Sequence, residues 1–188
     1  MKVNDSGMPE ETYWNSLFDI ESVVDWLGLC EQTSKVVEIG CGYGTFTVPV
    51  AEKVDEVTTF DIEPAMIETA KANIQSAGLS NVTFVERDIL EQGTGLEANS
   101  TDLVLLFNIL HFSEKNRLLK EAAHILKKGG IVAIIHWRKD IPTPRGPANE
   151  IRPDERQILS ASEGLNLQIL GESELLKPYH WGLKLIKQ

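Results

Sequence analysis

Five short runs rich in apolar residues, at positions 36–39, 57–60, 82–85, 103–107 and 131–135, constrain this chain more than any other feature. Between them lie stretches with helical spacing, at 45–54, from Pro64 to about Gly78, and at 114–127. Strands alternating with helices predict a parallel sheet covered on both faces. The fourth run is almost wholly apolar, as a central parallel strand must be. Pro49 falls early in its helix, where a missing N–H costs little. Such sheets take ligands at the carboxyl ends of their strands, where strand order reverses.

The flanks read differently. Pro9, Glu10 and Glu11 predict a helix start and a short helix over 11–17. Ile20, Val23, Val24 and Leu27 recur at helical spacing, and Gly28 offers a stop. Beyond the fifth run comes a proline- and arginine-rich loop over 138–152. Pro153 and Asp154 then open a helix reaching about Ser162. Two strands follow, at 165–171 and 182–186, spaced as an antiparallel pair. The expected organisation is a helical segment over 1–34 and a sheet domain over 35–188, within one structural domain.

Composition narrows the partners. The formal net charge of −10 disfavours a large nucleic-acid footprint. Two cysteines, Cys30 and Cys41, are too few for a disulfide framework or a zinc cluster. Reduced thiols and a cytoplasmic location are the expectation. The first seven or eight residues read as a frayed tail, without the features of a signal peptide. No apolar run approaches the roughly 20 residues that span a bilayer. No histidine–carboxylate cluster has metal-ligand spacing.

The chemistry concentrates where the first strand ends, at Glu38, Ile39, Gly40, Cys41, Gly42, Tyr43 and Gly44. Glycines there permit close approach of a ligand to backbone N–H groups. A dinucleotide fingerprint is G-x-G-x-x-G. Here the spacing is G-x-G-x-G, and Thr45 stands where the third dinucleotide glycine would be. Asp61 closes the second strand, a position from which a carboxylate accepts hydrogen bonds from ribose hydroxyls. Asp88, after the third strand, is placed to accept from an exocyclic amino group. Ile62 and Ile89 supply apolar contact for a flat base. The fourth strand opens with Asp102 and exits through Asn108.

In this order, these motifs resemble those of class I S-adenosylmethionine-dependent methyltransferases, over about residues 36–135. The resemblance implies a doubly wound, Rossmann-like α/β sheet of seven strands in the order 3-2-1-4-5-7-6, the last inserted strand antiparallel. It implies S-adenosyl-L-methionine as cofactor. Gly40, Gly42 and Gly44 would face its methionine part, Asp61 the ribose, and Asp88 and Ile89 the adenine. Glu38 would brace the loop, and Asn108 would offer its carbonyl near the cofactor amine. The N-terminal helix, with Tyr13 and Trp14, would form a lid.

Methyl transfer from a sulfonium needs positioning and exclusion of water more than covalent help. Aromatic faces favour the cation, and Tyr13, Trp14, Tyr43 and Phe107 are candidates. His111 is the first candidate base, with a hydrogen bond to the next helix start as its alternative role. His136 either lines the acceptor pocket or satisfies loop carbonyls. His124 and His180 read as structural. Arg138 and Arg145 in the proline-rich loop, with Lys139 and Arg152 near them, suit an anionic acceptor; ion pairs with Asp140, Glu150 and Asp154 are the alternative. The segment after the fourth strand is not Asn-Pro-Pro-Tyr, and no Pro-Cys pair occurs. Both facts leave a small-molecule acceptor as the expectation. A nicotinamide-dependent oxidoreductase and a non-catalytic cofactor-binding module are the rival readings.

Overall fold

A computed structural model describes residues 7–188; the tail expected at the N-terminus lies largely outside them. Two helices precede the sheet. α1 (Glu11–Asn15) is capped by Glu10, whose carboxylate accepts from the Thr12 and Tyr13 N–H groups. α2 (Ile20–Leu27) is capped by Asp19 and ends at Gly28, which takes the left-handed conformation expected of it.

The alternating region follows as β1 (Lys35–Ile39), α3 (Thr47–Ala51), β2 (Glu56–Asp61), α4 (Pro64–Ser76), β3 (Val82–Glu86), α5 (Ile89–Gln92), β4 (Thr101–Phe107), α6 (Lys115–Ile125) and β5 (Leu126–Trp137). Then come α7 (Glu155–Ala161), β6 (Leu167–Ile169), β7 (Glu174–Leu176) and β8 (His180–Lys187). The sheet order is β3-β2-β1-β4-β5-β8-β6, with β7 also paired to β8. The first five strands are parallel, and β8 runs antiparallel to β5, β6 and β7. This is the Rossmann-like order expected, with one short strand added: β7 continues the outer edge where β6 stops.

Three local differences have physical causes. α3 is shorter than the expected 45–54, because Thr47, Val48, Pro49 and Val50 are weak helix formers. β5 starts directly at the end of α6. Its glycines, between the expected helix and strand, sit in an irregular stretch where pairing shifts between Thr101 and Leu103, so the strand continues through a bulge. The turn α5 was not expected; Asp88 creates it by capping Leu90.

Strand alternation divides the core. Leu103, Leu105 and Phe107 of β4 pack with Phe18, Trp26 and Phe46 on one face. Val104 and Leu106 pack with Leu119, Ile125 and Ile158 on the other. Every one of these β4 side chains is buried, so the strand is held from both sides and its end is a firm platform. The N-terminal helices close the first face through the Phe18–His180 stack, with centroids 4.3 Å apart. No described helix is long and apolar enough to cross a membrane.

Candidate active site

A cavity of about 480 Å³ opens at the carboxyl ends of β1 to β5, within the range of small-molecule sites. Its first half is built on the glycine loop. Gly40 donates its N–H to the Phe60 carbonyl at 2.7 Å, which ties the loop to β2. Its φ is +84°, and a Cβ there would lie 3.1 Å from Ile109. Gly40 and Gly42 border the cavity. Gly44 does not: it lies against α4, where a Cβ would meet Ala70 at 3.3 Å. The third glycine therefore lets a helix approach, a packing role instead of the ligand contact expected.

The two acids beneath this loop are tied down. Glu38 is buried, and its Oε2 accepts from the Thr47 and Thr59 hydroxyls. Burial pushes its carboxyl up to about 7 against those two bonds. Asp61 accepts from Gly42 N on Oδ2 and from Glu63 N on Oδ1, each at 3.0 Å. Oδ2 also accepts from the Cys41 thiol at 3.7 Å, so the capacity left for a ligand lies mainly on Oδ1. Burial raises its pKa, and the backbone bonds oppose the rise. Asp88, Ile62 and Ile89 complete this half of the lining. Asp88 also spends one oxygen on the Leu90 N–H, 2.9 Å away.

Trp14, Phe107, Phe112 and Trp137 wall the second half, with Asn108, His111, Arg145 and Pro147. Tyr13 is not among them. It stands 42% exposed on α1, because adjacent helix positions point about 100° apart and only Trp14 turns inward. Tyr43 is also outside the cavity lining, its hydroxyl donating to the Pro9 carbonyl at 2.5 Å.

The histidines separate by depth. His111 lines the cavity; burial lowers its pKa, and the Asn108 backbone partly opposes this. His136 is fully buried and does not reach the cavity, contrary to a pocket-lining role. Burial pushes its pKa down to about 3. His180 packs between Phe18 and Trp137, as a structural residue.

The arginines separate as well. Arg138 does not reach the cavity, because it makes a bidentate pair with Asp140 at 2.9 and 2.6 Å. Arg145 stands on the cavity rim and donates to the Gly7 carbonyl. Arg152 was not singled out from its neighbours by sequence, yet it organises the loop. It is 7% exposed and donates to the carbonyls of Arg138, Arg145 and Pro147 and to the Thr143 hydroxyl. Its guanidinium also lies 5.9 Å from the Trp137 ring centroid. Met8, Met66 and Arg87 line the cavity too. They carry no motif that would have revealed them. Among the described residues no group of three or more His, Cys, Asp or Glu is placed to hold a metal ion.

Comparisons with known proteins follow this geometry. A family model described as a methyltransferase domain matches residues 31–173. Aklanonic acid methyltransferase DauC of Streptomyces sp. (strain C5) is 35% identical over 103 residues, 53% of this chain and 46% of that protein. The 23S rRNA (uracil(1939)-C(5))-methyltransferase RlmD of Klebsiella pneumoniae (strain 342) is 33% identical over 75 residues, 40% of this chain and 17% of that protein. The chain thus spans less than half the length of either relative. A crystal structure of a SAM-dependent methyltransferase from Aquifex aeolicus superposes with a TM-score of 0.80 at 24% identity, covering 95% of this chain and 94% of that one. Matched by the family model over most of its length, the chain belongs to the methyltransferase-domain family and carries the fold of the S-adenosylmethionine-dependent methyltransferases.

Proposed function

We propose that this chain transfers a methyl group from S-adenosyl-L-methionine to a small, anionic acceptor in the cytoplasm. The observation that carries the reading is that Gly42, Asp61 and Asp88, from three different strand ends, border one cavity. The residues fit the cofactor. Asp61 borders the cavity with a carboxylate suited to accept from a ribose hydroxyl. Ile62 and Ile89 offer apolar faces beside Asp88 for an adenine. Gly40 and Gly42 allow backbone to approach the methionine part, Glu38 holds the loop from below, and the Asn108 carbonyl is assigned to the cofactor amine.

When bound, the cofactor supplies an activated methyl group on a cationic sulfur. The chain's own work is then positioning and drying, worth roughly 7–11 kcal/mol in well-oriented systems. Trp14 and Phe107 are aromatic residues of the lining, the kind of group that favours a cation. The segment preceding β1 acts as a lid. It is pinned by Tyr43 on Pro9, by Thr45 on Asn15 at 2.7 Å and by Asn73 on Glu11 at 2.7 Å. His111, whose pKa burial lowers, takes the proton that a hydroxyl or amino nucleophile must lose. Arg145 meets a carboxylate or phosphate of the acceptor. In keeping with this, the Streptomyces relative is named for an organic acid.

A second reading, an RNA acceptor, draws on the RlmD relatives. The net charge of −10 weighs against it. Calorimetry with S-adenosylhomocysteine and with NAD tests the cofactor: binding of the first and not the second supports the reading, and the reverse overturns it. Mass spectrometry of ligand carried through native purification gives an independent answer.

A further inference from the structure

Five buried polar atoms near one side of the cavity have no hydrogen-bond partner in the chain: Nδ2 and Oδ1 of Asn108, Nδ1 of His111, and both ring nitrogens of His136. They belong together. Asn108 donates its backbone N–H to Ile135 at 2.8 Å, so the residue leaving β4 sits beside the end of β5. The His111 and His136 rings lie 5.8 Å apart at 66°. Unpartnered buried polar atoms are rare, because each forfeits the hydrogen bonds it had in water. Hydrogen bonds among these groups would satisfy four of the five and leave Nδ2 of Asn108 over.

We propose that His136 is a positioning residue for His111, accepting from its Nδ1–H and donating from its own second nitrogen to the Asn108 side-chain oxygen. This rests on the reading of His111 as the base and adds what sets its tautomer. With Nδ1 carrying the proton, Nε2 of His111 is left free to take one from the acceptor. The direction matters. If His136 donated instead, His111 would present an N–H to the acceptor and would be no base. His136 suits the task because it stays neutral. Burial, the nearby His111 and His180 rings and the Arg152 guanidinium all oppose its protonation; the Trp137 backbone favours it and is the competing partner for the His136 N–H. The Asn108 backbone also acts on His111, and it is the competing partner for Nδ1–H.

Nitrogen-15 NMR of the histidine rings tests this in the S-adenosylhomocysteine complex, without any acceptor. The expected result is a single His111 tautomer protonated at Nδ1. His136→Phe, which keeps the ring shape without nitrogens, is expected to give a mixture of tautomers and a lower His111 pKa, since the imidazolium loses an acceptor. His136→Gln, whose amide oxygen can take the same bond, is expected to restore the single tautomer. Wild-type His111 protonated at Nε2 overturns the proposal directly. Unchanged His111 shifts and pKa in His136→Phe overturn it too, and assign the tautomer to the Asn108 carbonyl. If His136→Phe does not fold, the wild-type tautomer and the Gln variant still decide. Loss of S-adenosylhomocysteine binding by the wild-type chain would instead count against the cofactor reading.

Discussion

The two halves of the cavity are held in opposite ways. Around the glycine loop, the acids that face inward are fixed by short-range bonds from the chain itself: Glu38 by two threonines, Asp61 by two backbone N–H groups and Asp88 by one. Around His111, side-chain nitrogens and the Asn108 amide are buried without partners, and the wall is a loop hung on Arg152. One half is finished by the fold. The other is shaped by a few long side chains. A domain that shares a methyl donor with its relatives and differs in acceptor would divide in this way, because strand ends are fixed by the sheet while a loop tolerates change.

Substitutions can break or sharpen this contrast. The largest effect is expected from pH acting on Glu38. Its folded pKa, about 7, lies above the ordinary carboxyl value of 4.5 because of burial. The folded state therefore binds more protons than the unfolded chain in this window. Stability contributed by the protonated acid is fully present below pH 4.5 and is lost as pH rises through about 7. The loss is on the order of 3 kcal/mol. Glu38→Gln keeps an oxygen for the threonines and should flatten that slope, measured by urea unfolding at several pH values. An unchanged slope would show that the acid is ionised throughout.

Asp61→Ala should come next, weakening S-adenosylhomocysteine binding by about 1.5–3 kcal/mol through lost charge-assisted bonds. Calorimetry reads it, and wild-type affinity would remove Asp61 from the ligand. Arg145→Ala should raise the acceptor KM, an effect of about 1 kcal/mol or more, while cofactor affinity stays the same. Equal loss in both would merge the two halves into one. Tyr13→Ala should change neither affinity nor stability by more than about 0.5 kcal/mol, since its ring faces solvent. A large effect would return Tyr13 to the cavity.

Legibility in the sequence followed the same division. Strand positions, the glycine loop, Asp61 and Asp88 were readable because each follows a local rule: period, turn chemistry, or an acid at a strand end. Gly44 was assigned to the ligand because spacing alone does not tell a glycine needed by a ligand from one needed by a neighbouring helix. Trp14 and Tyr13 could not be separated without knowing which way a short helix faces. Arg138, Arg145 and Arg152 looked equivalent in a run of prolines. Only tertiary contacts gave them three different tasks: an ion pair, a rim and a latch. For His136 the sequence leaves both roles open for a related reason. Consecutive strand residues face opposite sides, and the loop boundary beyond β5 hid which side it takes.

The insertion of β8 between β5 and β6 has a consequence for synthesis. The flank of β5 stays open as the ribosome extends the chain, until residues 180–187 have emerged to pair with it. Through that interval a hydrophobic strand offers unpaired N–H and C=O groups to any neighbour. A nascent chain stalled before Trp181 should therefore engage holding chaperones far longer than one stalled beyond it.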